Sequence, residues 1–177
     1  MTYWLDKDVP NSSLVLPNYE IFRRDREVGK GGGIICYIND DFSCEVIDRE
    51  LFPSLNQSPS EFLCLFLKDL NLVVLVIYHP FWNNVKANDD AITVHTEVLD
   101  VCFLKFGPRT KFIFCGDYND LHHSYDMISS MTQLSYLVTF PTRGLNTLDQ
   151  VFTNLMLNQC VFPQLALLTT VVFFGHQ

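Results

Sequence analysis

The chain has 177 residues, of which 48% are hydrophobic and 18% are charged, and its formal net charge at pH 7 is −8. This length and composition exclude a disordered chain and predict one globular domain over residues 1–177. The negative charge argues against general binding of polyanions, although it leaves room for a local basic patch. No apolar run reaches the ~20 residues that span a bilayer. The first residues lack a secretory signal, so we expect no membrane partner and an intracellular location, in the nucleus or the cytoplasm.

Apolar and alternating runs predict four strands in the first half of the chain. They lie at residues 34–38, 43–47, 62–67 and 71–78. A glycine run at 31–33 precedes the first of them, and residues 51–60, with two prolines among polar residues, are expected to form a loop. The last two runs are joined by a short polar connection, which predicts a hairpin.

The second half of the chain mixes helices and strands. A three-four rhythm of apolar residues from Ile92 to Phe106 predicts a helix, with Asn88 or Asp89 as its cap. A short helix is expected at 125–134. Further strands are expected at residues 111–115, 148–153 and 169–174. This order favours an α/β (α+β) fold, in which two packed mixed β-sheets are flanked by helices, over a purely parallel fold.

Six cysteines are scattered through the chain and form no Cys-x-x-Cys pair. They are Cys36, Cys44, Cys64, Cys102, Cys115 and Cys160. Because most lie within apolar stretches, we interpret them as reduced core thiols rather than as zinc ligands or disulfides.

The most informative stretch is Gly116-Asp117-Tyr118-Asn119, which follows the predicted strand 111–115. Ligands of open α/β sheets collect at such strand ends. Asp117 and Asn119 are two positions apart and can point the same way. A carboxylate and a carboxamide facing one spot could orient a water molecule or a phosphate oxygen. A purely structural Asx-turn is the alternative interpretation.

Two further polar residues mark strand boundaries. Tyr78 stands where the 71–78 strand leaves the core, and Asp149 stands at the start of the 148–153 strand. Both could belong to the same site. Alternatively, Tyr78 could cap its strand with the hydroxyl in water, and Asp149 could pair with the nearby Arg143.

Basic residues are dense in one segment only. They are Arg23, Arg24, Arg26 and Lys30. The functional interpretation is a loop that contacts phosphates of a nucleic acid. The alternative is a solvated turn whose charges pair with Asp25 and Glu27.

Histidines and aromatic residues suggest three smaller hypotheses. His122 and His123 are expected to point apart into solvent rather than bind metal. His95, on the apolar face of the predicted 92–106 helix, is expected to be a hydrogen-bonded, partly buried residue. Phe81-Trp82 could stack on a base or could anchor a loop in the core.

Four segments, taken in order, resemble the endonuclease domain of non-long-terminal-repeat (LINE-like) retrotransposons. The segments are Tyr-x-x-Phe-Arg-x-Asp-Arg at 19–26 with the glycine run after it, Val-Ile-Tyr-His-Pro at 76–80, Gly-Asp-Tyr-Asn at 116–119 and Thr-Leu-Asp-x-Val-Phe-Thr-Asn at 147–154. That domain belongs to the exonuclease–endonuclease–phosphatase superfamily, with the apurinic/apyrimidinic endonucleases. The resemblance implies a four-layer sandwich that cleaves DNA with the help of magnesium.

The resemblance also implies a role for each candidate residue. Asp117 would orient or deprotonate the attacking water, and Asn119 would hold that water and contact the phosphate. Tyr78 would bind the scissile phosphate, and Asp149 would fix the tautomer of a catalytic histidine, for which His176 is the candidate. DNA would be the partner, and a reverse transcriptase would be fused to the domain in the intact element.

The chain departs from the family pattern at both ends. Thr2 stands where relatives carry a metal-binding Glu, two positions before the Trp-Leu that matches Trp4-Leu5, and Gly175 stands where they carry an Asp. We therefore expect an incomplete, truncated domain that lacks the first and last strands, with unknown metal ligands and impaired catalysis. The alternatives are a non-catalytic remnant with weak or no nucleic-acid binding, and a phosphatase of the same superfamily acting on a small phosphoester.

Overall fold

The computed structural model describes residues 8–26, 32–58, 60–81 and 85–155, together with the backbone of residues 169–173. These residues form nine strands and two α-helices. The strands are β1 (Tyr19–Arg24), β2 (Ile34–Asn39), β3 (Cys44–Val46), β4 (Glu61–Leu67), β5 (Leu72–Tyr78), β6 (Lys111–Asp117), β7 (Ser135–Tyr136), β8 (Asp149–Thr153) and β9 (Thr169–Phe173). The helices are α1 (Val85–Phe106) and α2 (Tyr125–Thr132).

The strands form two sheets. A three-stranded antiparallel sheet has the order β1-β2-β9, and a six-stranded mixed sheet has the order β3-β4-β5-β6-β8-β7. Among the described strands of the larger sheet, β5 and β6 are the one parallel pair, and α1 makes the crossover between them. The predicted class, two packed sheets with helices, is confirmed.

Strand β5 is the centre of the packing, since all seven of its residues are buried. Its side chains alternate between two hydrophobic clusters, as the period of a strand requires. Val73, Leu75 and Ile77 pack with α1 and α2, whereas Val74 and Val76 pack against the three-stranded sheet. The described residues therefore build the layers helix, sheet and sheet, and the core lies on both sides of the six-stranded sheet.

Two predicted boundaries are wrong. Helix α1 begins at Val85, before the predicted cap Asn88 or Asp89. The apolar rhythm becomes visible only where the helix meets the core at Ala91, because Asp89 and Asp90 are exposed. The expected loop at 51–60 contains a 3₁₀-helix, Pro53–Gln57, and is fastened to the core by the buried Phe52 and Leu55.

Two strands lie outside the predicted set. Strand β1 is half-buried and polar along most of its length, and β7 has only two residues. Neither carries the run of apolar residues that identifies a buried strand. Tertiary pairing therefore defines them.

The described cysteines are free thiols. Cys36, Cys64 and Cys102 are buried, and Cys44 and Cys115 are partly buried. Burial raises the pKa of the Cys36 thiol, which keeps it protonated. Cys160 lies outside the described residues. None of the helices in the described part of the chain is long and apolar enough to cross a bilayer.

Candidate active site

Four ionisable side chains lie in one row across neighbouring strands. The register pairs Glu61 of β4 with Tyr78 of β5, Tyr78 with Asp117 of β6, and Asp117 with Asp149 of β8. Residues paired in this way share a face of the sheet, with Cβ atoms about 5 Å apart. The alternation that places Val76 and Val151 toward the other sheet puts the row on that same side. We call these four residues the acidic row.

Arg143 connects two members of the predicted site. Its Nη2 lies 3.2 Å from Asp117 Oδ2, and its Nη1 lies 3.5 Å from Asn119 Oδ1. Asp117 and Asn119 therefore face one spot, as their spacing predicts. The expected alternative pairing of Arg143 with Asp149 is wrong, because the guanidinium pairs with Asp117.

The Asx-turn interpretation of this stretch also holds. Asp117 Oδ1 accepts the main-chain N–H of Asn119 at 3.1 Å, and Asn119 has a φ of 44°. Asn119 Nδ2 donates to the main-chain oxygen of His79 at 2.7 Å, which fixes the carboxamide. The turn thus orients both side chains toward the same side of the strand end.

Gly116 is required by the close approach of β5. A Cβ at this position would run into the main-chain oxygen of Ile77 and would lie 2.6 Å from its Cγ2. Only glycine therefore lets β6 lie against the end of β5 and bring Asp117 beside Tyr78.

The electrostatics of the row favour a proton acceptor at Asp117. Its side chain is almost completely buried, and burial, followed by the charge of Asp149, raises its pKa to about 6. Arg143 and the Asn119 N–H act in the opposite direction. A carboxylate with a pKa near neutrality is suited to general base catalysis.

Tyr78 is buried at the end of β5, with 3% of its surface exposed. The guanidinium of Arg26 lies over its ring, 5.5 Å from the centroid. Burial raises the pKa of Tyr78, and the charge of Arg26 opposes this shift. The tyrosine is therefore neutral near pH 7 and can donate a hydrogen bond.

Arg26 is held by Glu61. Its Nε donates to Glu61 Oε1 at 2.5 Å, and Glu61 Oε2 accepts the N–H of Gly33 at 2.5 Å. A Cβ at Gly32 would lie 2.6 Å from the guanidinium carbon of Arg26. The absence of a side chain at Gly32 therefore leaves space for the Arg26 guanidinium.

Among the other basic residues, Arg23 fits the interpretation as a structural turn. Arg23 pairs with Asp25 at 2.5 Å and donates to the main-chain oxygen of Val9, as a structural turn would. Arg24 lines a cavity of about 430 Å³ beside Arg49 and Phe52. Lys30 and Glu27 lie outside the described residues.

Three smaller predictions need correction. The rings of His122 and His123 do not point apart, since their centroids are 3.7 Å apart. His95 is completely buried rather than partly buried. Phe81 is 72% exposed, which excludes it as a core anchor, and Trp82 lies outside the described residues.

The terminal candidates lie outside the described residues. They are Thr2, Trp4, Leu5, Gly175 and His176. Three residues beside the site lack a motif that could have revealed them. Strand register places Glu61 beside Tyr78, and the turn closed by Arg143 and Asn146 positions Arg143. Ser60 is positioned by its hydrogen bond with His79.

The carboxylates of the acidic row are the candidate ligands for a magnesium ion. Magnesium usually takes one or two carboxylates from a protein and its remaining ligands from water and substrate phosphates. Asp149 and Asp117 are adjacent carboxylates, but Arg143 already neutralises Asp117. The described residues contain no group of three or more side chains that could hold a metal ion. By themselves the described residues do not complete a metal centre.

The fold and the row define a class of protein: a two-sheet α/β sandwich with acidic and amide side chains at the strand ends. Among solved structures, an endonuclease/exonuclease/phosphatase family protein from Bacteroides thetaiotaomicron is similar, with a TM-score of 0.50 and 14% identity. The match covers 78% of this chain and 60% of that one. This chain thus spans less than two thirds of the length of that protein, and at this identity the likeness shows the fold alone.

A second solved structure is more distantly similar. It is the cytolethal distending toxin from Actinobacillus actinomycetemcomitans, with 14% identity over 78% of this chain and 67% of that one, and a TM-score of 0.37. No protein-family model matches the sequence. No curated protein matches it either.

Proposed function

We propose that the chain is a phosphodiester hydrolase of the endonuclease type that acts on DNA. The observation that carries this proposal is the convergence of Asp117, Asn119 and Arg143 at the end of β6, next to Tyr78. It joins a proton acceptor, a hydrogen-bonding carboxamide and a fixed positive charge. The fold shared with an endonuclease/exonuclease/phosphatase family protein is consistent with it.

Each residue has a chemical role in the proposed reaction. Water attacks the phosphorus atom, its proton passes to Asp117, and the bond to the leaving oxygen breaks. Arg143 offsets the negative charge that grows on the phosphate oxygens. Asn119 keeps one amide N–H for a phosphate oxygen, since the other donates to His79. Tyr78 donates its hydroxyl hydrogen to the scissile phosphate.

The remaining roles rest on the sequence resemblance. Asp149 would orient His176, which would protonate the leaving oxygen. The same resemblance implies that the reaction requires magnesium, because the ion would add positive charge at the phosphate. The retrotransposon origin, the fused reverse transcriptase and a location in the nucleus or cytoplasm belong to the same proposal.

The experiment is a plasmid-nicking assay with the full chain. Supercoiled DNA is incubated with the protein in magnesium, and in a matched reaction containing excess EDTA. We expect conversion to the open circle with magnesium only. Conversion that is equal in EDTA would contradict the metal requirement, and no conversion above buffer would contradict the proposed activity.

A non-catalytic remnant is the second candidate function. It is favoured by the ion pair that Arg143 makes with Asp117, which neutralises the proposed base. Thr2 and Gly175, where relatives carry carboxylates, favour it as well. Duplex binding without nicking would support this candidate. Release of phosphate from a small phosphomonoester without nicking would instead support the phosphatase alternative.

A further inference from the structure

A second cluster of polar side chains lies behind the acidic row. Ser60 Oγ lies 2.8 Å from His79 Nδ1 and 3.1 Å from His95 Nε2. Ser60 is 4% exposed, and both imidazoles are completely buried. Because buried polar groups need hydrogen-bond partners, the Ser60 hydroxyl satisfies both imidazoles at once.

The donors and acceptors of this cluster can be assigned. His79 Nε2 lies 3.4 Å from Asn88 Oδ1, an oxygen that can only accept, and we therefore assign the His79 proton to Nε2. His79 Nδ1 is then an acceptor and takes the Ser60 hydroxyl hydrogen. Ser60 Oγ in turn accepts from His95 Nε2–H. The chain of hydrogen bonds therefore has one direction, from His95 through Ser60 to His79.

The buried nitrogen at the end of this chain agrees with the assignment. His95 Nδ1 is buried and has no hydrogen-bond partner among the described residues. With the proton on Nε2, this atom is a bare lone pair and not an unpaired N–H. Burial lowers the pKa of His95 well below its ordinary value, which keeps the ring neutral.

His79 carries the cluster into the candidate active site through its main chain. Its N–H donates to the main-chain oxygen of Asp117 at 2.8 Å. Its oxygen accepts Asn119 Nδ2 at 2.7 Å. Ser60 also directly precedes Glu61, the residue that holds Arg26 over Tyr78. The cluster is thus adjacent in sequence to the row residues of β4 and β5, and it is hydrogen-bonded to the end of β6.

Helix α1 anchors the other end of the cluster. The ring of His95 packs edge to face against Phe62, Phe114 and Tyr118, with centroid distances of 5.2, 5.9 and 6.1 Å. These three aromatic rings belong to β4, to β6 and to the turn after β6. His95 is consequently fixed, and a displacement of Ser60 would have to be taken up on the His79 side.

We propose that Ser60, His79 and His95 are positioning residues, whose directed hydrogen bonds fix the main chain at residue 79 and thereby the side chain of Asn119 and the end of β6. Their effect on catalysis rests on the proposed function. Their effect on the geometry of Asn119 is independent of it. None of the three touches substrate.

The test compares Ser60→Ala with a matched control. Ser129→Ala likewise removes one serine hydroxyl, which lies in α2 and donates to the main-chain oxygen of Leu134 at 2.6 Å. The side-chain amide signals of Asn119 are identified in ¹H–¹⁵N spectra by their loss in Asn119→Asp. We expect Ser60→Ala to shift or broaden these signals, and Ser129→Ala to leave them in place.

A second pair of variants covers the case in which Ser60→Ala does not fold. His79→Asn keeps a polar atom near the Nδ1 position, whereas His79→Leu removes it. We expect His79→Asn to retain the Asn119 amide signals and His79→Leu to displace them. Long-range ¹H–¹⁵N spectra of the wild type should show the Nε2–H tautomer for both His79 and His95.

In the nicking assay, Ser60→Ala and His79→Leu are expected to lower kcat about tenfold with less than a twofold change in KM, since misplacement acts on the transition state. His79→Asn should recover most of kcat. Unchanged Asn119 signals in Ser60→Ala and His79→Leu would overturn the positioning proposal, as would an Nδ1–H tautomer at His79. A wild type that does not nick DNA would refute the proposed function alone, and the spectra would still decide the positioning role.

Discussion

At the scale of single residues, Asp117 has surroundings that act on its ionisation in opposite directions. Burial and the Asp149 carboxylate disfavour its ionisation, and Arg143 favours it. The outcome is a pKa raised from an ordinary value of 3.8 to about 6. Such a group is ionised at neutral pH only at a cost to stability.

This cost predicts a pH dependence of stability. The folded chain binds the Asp117 proton more tightly than the unfolded chain does, so the free energy of unfolding falls as pH rises from about 4 to about 6 and is constant above. Asp117→Asn cannot ionise and should be more stable than the wild type at pH 7 by roughly 1–3 kcal/mol. The two should converge near pH 4. Urea unfolding at both pH values measures the difference.

The control for this prediction is Asp100→Asn, which changes an exposed carboxylate on α1. It should follow the wild-type curve between pH 4 and 7. A constant difference between Asp117→Asn and the wild type over this range would contradict the raised pKa.

Tyr118 allows a second test at this scale. Its hydroxyl is buried with no hydrogen-bond partner among the described residues, although it lies between Asp117 and Asn119 in sequence. A buried, unpaired hydroxyl disfavours folding, so Tyr118→Phe should be neutral or stabilising by about 1 kcal/mol. Thermal unfolding measures it.

Tyr125→Phe is the matched comparison. The Tyr125 hydroxyl donates to the main-chain oxygen of Thr147 at 2.7 Å, and its removal should destabilise the fold by about 1 kcal/mol. Equal losses in the two variants would show that the Tyr118 hydroxyl has a partner. The Tyr118 hydroxyl would then contribute a hydrogen bond in addition to the packing of its ring in the core.

At the scale of elements, the site depends on how closely β6 approaches β5. Gly116→Ala would place a methyl group against the Ile77 main chain. We expect a loss of about 2–4 kcal/mol in the free energy of unfolding, because two paired strands would have to separate locally. Gly144→Ala is a suitable control, since a Cβ there meets nothing within 4 Å. Its positive φ of 61° predicts a smaller loss of about 1 kcal/mol.

The elements that were predictable are those with uninterrupted apolar runs. Strands β4, β5 and β6 have buried side chains on both faces, so their sequences identify them without tertiary information. Strand β1 and the start of α1 have no such run. Strand β1 is stabilised by its pairing with β2, and the start of α1 is stabilised by the helical turns that follow it. Sequence periodicity does not report that kind of stabilisation.

The candidate site was predictable to the same limited extent. Asp117, Asn119, Tyr78 and Asp149 follow from strand ends and a family resemblance, and the register places Tyr78, Asp117 and Asp149 side by side. Glu61 and Arg143 do not follow, because their partners are 35 and 26 residues away in sequence. Contacts of that range depend on register and on turn geometry.

At the scale of the whole molecule, the net charge limits the affinity that we expect of the chain for DNA. The net charge of −8 repels a polyanion, and Arg23 and Arg26 are engaged in ion pairs with Asp25 and Glu61. The charges of these two arginines are therefore already balanced within the chain. We expect weak duplex binding, with a slope of log K against log salt of only about −1 to −3.

Fluorescence anisotropy at several salt concentrations measures this slope. Arg143→Gln should weaken binding and reduce the slope by about 1, because it removes a half-exposed charge at the proposed phosphate site. A slope as steep as that of a basic DNA-binding protein would contradict this account of the surface. An unchanged slope in Arg143→Gln would place the phosphate contact elsewhere.

The most direct test of the central claim is the nicking rate of Asp117→Asn compared with the wild type and Asp100→Asn on supercoiled plasmid in magnesium. If Asp117 is the base at a phosphodiester-cleaving site, Asp117→Asn should be slower by about 100-fold or more while Asp100→Asn matches the wild type. Asp117→Asn is expected to remain folded, so a loss of rate would report chemistry and not unfolding. Wild-type nicking that survives unchanged in Asp117→Asn would contradict the claim.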